Sequence, residues 1–186
     1  MAASHARNFI LAGAVLAVMS VGGAIAGPLE EAWAAYGRGD YATALRLWRP
    51  LAAQGNAFAQ SNLGFMYDSG QGVPQDHGEA AKWYRLAAEQ GNARAQSNLG
   101  SMYAGGDGVP RDYVQAHMWA SLAASRFPAS AAEDRKQAAE NRDRVASLMT
   151  PEQLAEARSW HGSGSRNDPG AASDRSIDPG PVASSR

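Results

Sequence analysis

Gln60-Ser61-Asn62-Leu63-Gly64 recurs, residue for residue, as Gln96-Ser97-Asn98-Leu99-Gly100, an offset of 36 residues. The same offset carries Met66-Tyr67 onto Met102-Tyr103 and Gly72-Val73-Pro74 onto Gly108-Val109-Pro110. It also carries Asp76 onto Asp112, Ala80 onto Ala116, Trp83 onto Trp119 and Ala87 onto Ala123. So many identities at one offset define an internal repeat, and a period of this length marks a stack of short supersecondary units. One period earlier, Asp40, Ala44, Leu47 and Leu51 align with Asp76, Ala80, Trp83 and Ala87. A first unit with a different opening half therefore precedes the two complete ones.

Each unit reads as a pair of helices. Ala59, Leu63, Met66 and Tyr67 fall on one helical face. The loop Gly70-Gln71-Gly72-Val73-Pro74 ends that helix, because Gly accepts left-handed geometry and Pro cannot continue it. Asp76 caps the second helix, and Glu79 stands where a capping box needs it. Asp112 and Gln115 repeat that arrangement. The second helix sets Ala80, Trp83, Ala87 and Ala88 inward, with Trp119 as the counterpart of Trp83, and Gly91-Asn92 closes the unit. Gly64 and Gly100 lie inside helices, where Gly costs about 1 kcal/mol relative to Ala. Recurrence of that cost at one repeat position points to a close helix–helix approach.

The pattern Ala57-x-Ala59-Gln60 through Leu63-Gly64-x-Met66-Tyr67, then Gly70 to Asp76, then Ala80-x-x-Trp83-Tyr84 to Ala88, resembles the Sel-one-like repeat family. That family is a branch of the tetratricopeptide superfamily, whose Leu-Gly-x-x-Tyr signature occurs at Leu63–Tyr67 and Leu99–Tyr103. The resemblance covers roughly residues 29–127. It implies an all-α fold: a right-handed α/α superhelix, or tetratricopeptide-like solenoid, of antiparallel helix pairs. It also implies a role in assembling other proteins. Members sit in envelope, secretion and signalling systems, and some cysteine-rich secreted members are linked to β-lactam binding or hydrolysis. This chain has no cysteine, so that activity does not carry over. His117-Met118-Trp119-Ala120 departs from the pattern.

The expected domains are a signal peptide over 1–26, a short unit over 29–55, units over 56–91 and 92–127, capping helices over 128–160 and a disordered tail over 161–186. The leader carries Arg7 and no acid in its opening stretch, an apolar run from Phe9 to Val21, and Ala24-Ile25-Ala26 at the cleavage position. An uncleaved anchor is the competing reading. Periplasmic or secreted location follows, with no membrane insertion after cleavage. Ala129 to Met149 reads as one long helix with Ala131, Ala138, Val145 and Met149 inward. Thr150-Pro151-Glu152-Gln153 starts another, running to about Trp160. The tail is rich in Gly, Ser, Pro, Asp and Arg and lacks the apolar surface to fold.

Little in the chain points to chemistry. Lys and Arg total 17 against 18 Asp and Glu, so nothing recommends a nucleic-acid partner. His77 and His117 occupy different repeat positions, and His161 stands at the edge of the tail. The stretch Asp68 to Glu79 has the ends of a calcium loop but Gly70, Gly72 and Val73 where ligands and the turn Gly belong. No cofactor, metal or catalytic residue is expected. The partner is expected to be a protein or peptide bound by a monomer, on the concave face formed by the first helices. The candidate contacts are Phe58, Ser61, Asn62, Phe65, Asp68, Arg94, Ser97, Asn98 and Ser101. Asn62 and Asn98 would form a ladder for an extended backbone, or merely face water. Phe58 and Phe65 would be an exposed apolar pair, or pack on the preceding helix. The alternative function is an envelope enzyme acting on peptidoglycan or β-lactams. N-terminal sequencing of the exported protein is expected to begin at Gly27; a chain that retains Met1–Ala26 would establish the anchor instead.

Overall fold

The computed structural model describes residues 27–162, so the leader and almost all of the tail lie outside the described residues. The helices are α1 (Pro28–Gly37), α2 (Tyr41–Ala53), α3 (Ala57–Ser69), α4 (His77–Glu89), α5 (Ala93–Gly105), α6 (Tyr113–Arg126), α7 (Ala132–Ala146) and α8 (Pro151–Gly162). A 3-10 turn over Ala129–Ala131 precedes α7. Each helix packs chiefly on its sequence neighbours, and α8 returns to α6. No strand is present among the described residues. The chain is thus the predicted array of helix pairs.

Side-chain caps fix the start of each helix from α2 to α6. Asp40, Asn56, Asp76 and Asn92 each accept a bond from the N–H three residues on, and Asp112 accepts from Val114 and Gln115. The reciprocal half of the expected capping box is absent at Asp76. Its N–H donates to the Tyr67 carbonyl at 2.9 Å, and Glu79 pairs with Lys82 at 2.9 Å. The Asp112 N–H donates to Tyr103 in the same way. These bonds tie each loop back onto its own first helix. Thr150 and Gln153 do form a full box, with bonds of 2.9 and 3.3 Å.

The buried face of the second helices lies one residue beyond the expected one. Ala44, Leu45, Trp48 and Ala52 are buried in α2, while Leu47 and Leu51 are half-buried. In α4 the buried set is Ala80, Ala81, Tyr84, Ala87 and Ala88. Trp83 is half-buried and packs against the core of the preceding helices, whereas Trp119 is buried as expected. A stripe through Ala80, Tyr84 and Ala87 leaves Trp83 on its flank. In the C-terminal pair, the helix begins at Ala132 rather than Ala129. Ala138 and Val145 are buried, and Met149 packs on the core from beyond the helix end.

The close approach implied by the helical glycines is present. A Cβ at Gly64 would stand 2.6 Å from Tyr84 Cδ1, and the Tyr84 ring is fully buried. A Cβ at Gly100 would meet the α6 backbone, 3.2 Å from both the Ala116 carbonyl and the Ala120 nitrogen. Units are then joined by a buried amide. Gln60 Nε2 donates to the Ala52 carbonyl at 3.1 Å, and Gln96 Nε2 donates to Ala88 at 2.9 Å. Gly72 and Gly108, both with positive φ, add a second joint by lying against Tyr41 and His77, the first residues of α2 and α4.

Gly64→Ala is expected to destabilise the fold by about 1–3 kcal/mol, because the buried ring cannot yield. Gly37→Ala meets nothing within 4 Å and is the matched control; it is expected to stabilise by about 0.4–1 kcal/mol. Gly64→Leu is expected to abolish cooperative folding, and wild-type melting of that variant would refute the contact. A second expectation concerns alkali. Burial above all, and then the Asp68 carboxylate, disfavour the Tyr84 phenolate and raise its pKa above the ordinary 10.0. The unfolded chain releases this proton first, so stability present below pH 10 is lost as pH climbs through it. Melting of wild type and Tyr84→Phe across that range is the measurement: the variant should lose less stability, and equal slopes would overturn the assignment.

Candidate functional site

The first helices of successive units stand side by side, so α3 and α5 present the same repeat positions to one concave surface. That surface is a cleft with two lobes of about 550 and 500 Å³. The larger lobe is lined by Asn62, Phe65 and Asp68 from α3 and by Arg94, Ser97, Asn98 and Ser101 from α5. The smaller is lined by Phe58, Ser61 and Asn62 from α3 and by the start of α5 at Asn92, Ala93 and Arg94. Every candidate contact residue named from the sequence therefore borders the cleft.

Two of them differ from expectation in exposure. Ser61 and Asn62 are 4% and 7% exposed rather than open to solvent. The cleft is walled on its other sides by Trp33 of α1, by Phe127 beyond α6 and by Asp134 of α7. Ser61 Oγ and Asn62 Nδ2 are buried without a hydrogen-bond partner among the described residues. The expected Asn pair is not a uniform ladder. Asn62 is buried, whereas Asn98 is half-buried and its side chain opposes the rise in the Tyr84 pKa. Phe58 and Phe65 are exposed, at 63% and 41%, but they face different lobes and do not form one patch. Asp68 pairs with His77 Nδ1 at 2.8 Å.

The aromatic wall went unread in the sequence. Trp33 meets Trp48 edge-on at a centroid distance of 5.4 Å and Tyr36 at 6.0 Å. Tyr36 in turn meets Tyr41 at 5.4 Å, Trp48 at 5.6 Å and Phe65 at 6.3 Å. Such edge and tilted contacts suit the ring quadrupoles and hold the wall rigid. The Tyr36 hydroxyl donates to Gln71 at 2.5 Å, and its pKa is raised by burial and then by Tyr41. The crowding of Trp33, Tyr36, Tyr41 and Trp48 into 16 residues of sequence is the signal that could have flagged it. Gln137 and Asn141 of α7 complete the opposite rim. The lining thus combines rigid rings with amides, hydroxyls and single charges, a set that suits recognition of a polar backbone carrying apolar side chains.

The Sel1 repeat model matches residues 34–56, 57–92 and 93–126. No curated protein matches the chain. Among solved structures, a protective antigen present in uropathogenic Escherichia coli strains, c5321, displays an SLR fold and matches with a TM-score of 0.67 and 30% identity. The match covers 86% of this chain and 34% of that one. A Sel1 repeat protein from Oxalobacter formigenes matches with a TM-score of 0.53 and 29% identity, over 75% of this chain and 61% of that one. The chain thus spans about a third and about three fifths of the lengths of these two proteins. Repeats, helix pairs and inter-unit joints agree with one conclusion: the chain belongs to the Sel1 repeat family.

Proposed function

We propose that this Sel1 repeat protein is an exported scaffold that binds an extended peptide segment of a partner protein in the two-lobed cleft, as a monomer and without catalysis of its own. Sel1 repeats typically mediate protein–protein interaction, which supports the coarse part of this reading. The cleft supports the finer part. Its carrying observation is the Asn62 amide, buried at the junction of both lobes with no partner for its Nδ2 among the described residues. Buried donors are nearly always satisfied, and an unsatisfied one that lines a cleft is open to a ligand group. A peptide backbone supplies the matching carbonyl and can run through both lobes.

Export rests on the sequence of residues 1–26, which lie outside the described residues. The reading places the cleft in the periplasm or the secreted space.

Display of random peptides against the full chain tests the site. Selected peptides are expected to lose about tenfold in affinity on Trp33→Ala or Ser101→Arg, a range usual for central contact residues. Leu86→Ala, outside both lobes, is expected to change nothing. Equal affinity for all three variants would sink the cleft as the binding site. Turnover of peptidoglycan or a β-lactam, abolished by one Glu or His substitution, would replace the scaffold reading with an enzymatic one.

A further inference from the structure

The smaller lobe gathers hydrogen-bond donors that have nothing to donate to. Ser61 and Asn62 form its floor, both more than nine-tenths buried, with Ser61 Oγ and Asn62 Nδ2 unpartnered among the described residues. The N-terminus of α5 forms one side; Asn92 accepts from the Ala95 and Gln96 N–H groups, and those of Ala93 and Arg94 have no acceptor within the helix. The Arg126 guanidinium lies against Gly91, just ahead of that helix, in space a side chain there would occupy. Arg94 follows on the first turn. Neither arginine makes an ion pair among the described residues. Asp134 also borders the lobe, so two guanidinium groups face one carboxylate and the balance stays positive.

We propose that this lobe is a carboxylate site for the bound peptide, an inference that rests on the peptide-binding reading above. A carboxylate has two acceptor oxygens and no donor, the complement of a guanidinium fork, an amide N–H, a hydroxyl and free helix N–H groups. A lysine or a chain amine is refused, because it would face Arg94, Arg126 and the positive end of α5. Both lobes share Trp33, Asn62, Arg94, Phe127 and Asp134, so one ligand reaches from the carboxylate site into the aromatic lobe. The favoured ligand is therefore a peptide that sets an apolar ring against Trp33 and Phe65 and a carboxylate against Arg94 and Arg126. That carboxylate is either the chain terminus or an acidic side chain.

Fluorescence anisotropy with the full chain and labelled Gly/Ser peptides carrying one Phe decides the matter. Three forms are compared: a free C-terminal carboxylate, a C-terminal amide, and the amide with an internal Asp. One carboxylate form is expected to bind about tenfold tighter than the neutral amide, identifying the source of the charge, and added salt should erode the preference. Arg94→Gln with Arg126→Gln, both on exposed side chains, should bring the forms level while leaving the melting temperature unchanged. Equal binding of the three forms, still weakened by Trp33→Ala, overturns the carboxylate site and leaves the peptide reading standing. A preference that survives the double substitution also overturns it. Absence of binding by every form overturns both.

Discussion

The structure depends on two helix pairs closing to a distance that leaves no room for a Cβ at Gly64 and little at Gly100. In the first complete unit the space opposite Gly64 is filled by the Tyr84 ring; in the second, the space opposite Gly100 is filled by the α6 backbone. The difference follows from one position. Ala120 stands a period after Tyr84, and with no ring between them α5 and α6 come together backbone to backbone. The two units share a contact but reach it with different atoms. The departure from the family pattern at His117–Ala120 is thus a local repacking that leaves the pair geometry intact.

Pair closure alone would give independent hairpins. Stacking needs joints between units, and the period supplies them too. Gln60 and Gln96 reach back to the last turn of the preceding second helix, while Gly72 and Gly108 seat each loop on the first turn of one. Both ends of α2 and of α4 are therefore held by the following unit. Because every joint links neighbours only, the order of helices along the solenoid fixes the spacing of α3 and α5. That spacing sets the width of the cleft floor on which Asn62 and Asn98 stand.

The repeat, its helix pairs, the inward Leu63 and Leu99 and the glycine contacts were legible because each recurs at a fixed offset with a periodic face. The phase of the second helices was harder. Trp83 and Trp119 look equivalent in sequence, yet Trp83 sits on the flank of a stripe centred on Tyr84, and only packing reveals the centre. The role of Gln60 was invisible, since nothing local distinguishes a glutamine that reaches the previous unit from one that faces water. Of the site, the α3 and α5 residues were readable as the non-core face of repeated helices. The burial of Ser61 and Asn62 was not, because nothing in the periodic pattern separates these polar positions from solvent-facing ones.

That division has a physical basis. A repeating surface offers the same groups again and again, and by itself it binds with little register. Register requires something that breaks the period. Here the aromatic wall of Trp33, Tyr36 and Trp48 stands at one end and Phe127, Asp134 and Gln137 at the other, and each differs from the residues at its position in the two complete units. The two complete units act as a floor with a defined width. The terminal helices turn that floor into a cleft with distinguishable ends, one an aromatic wall and the other a ring beside an acid and an amide. On the proposed peptide-binding reading, specificity comes from these end residues, and a chain with the same two units but other end helices would keep the fold and select a different ligand.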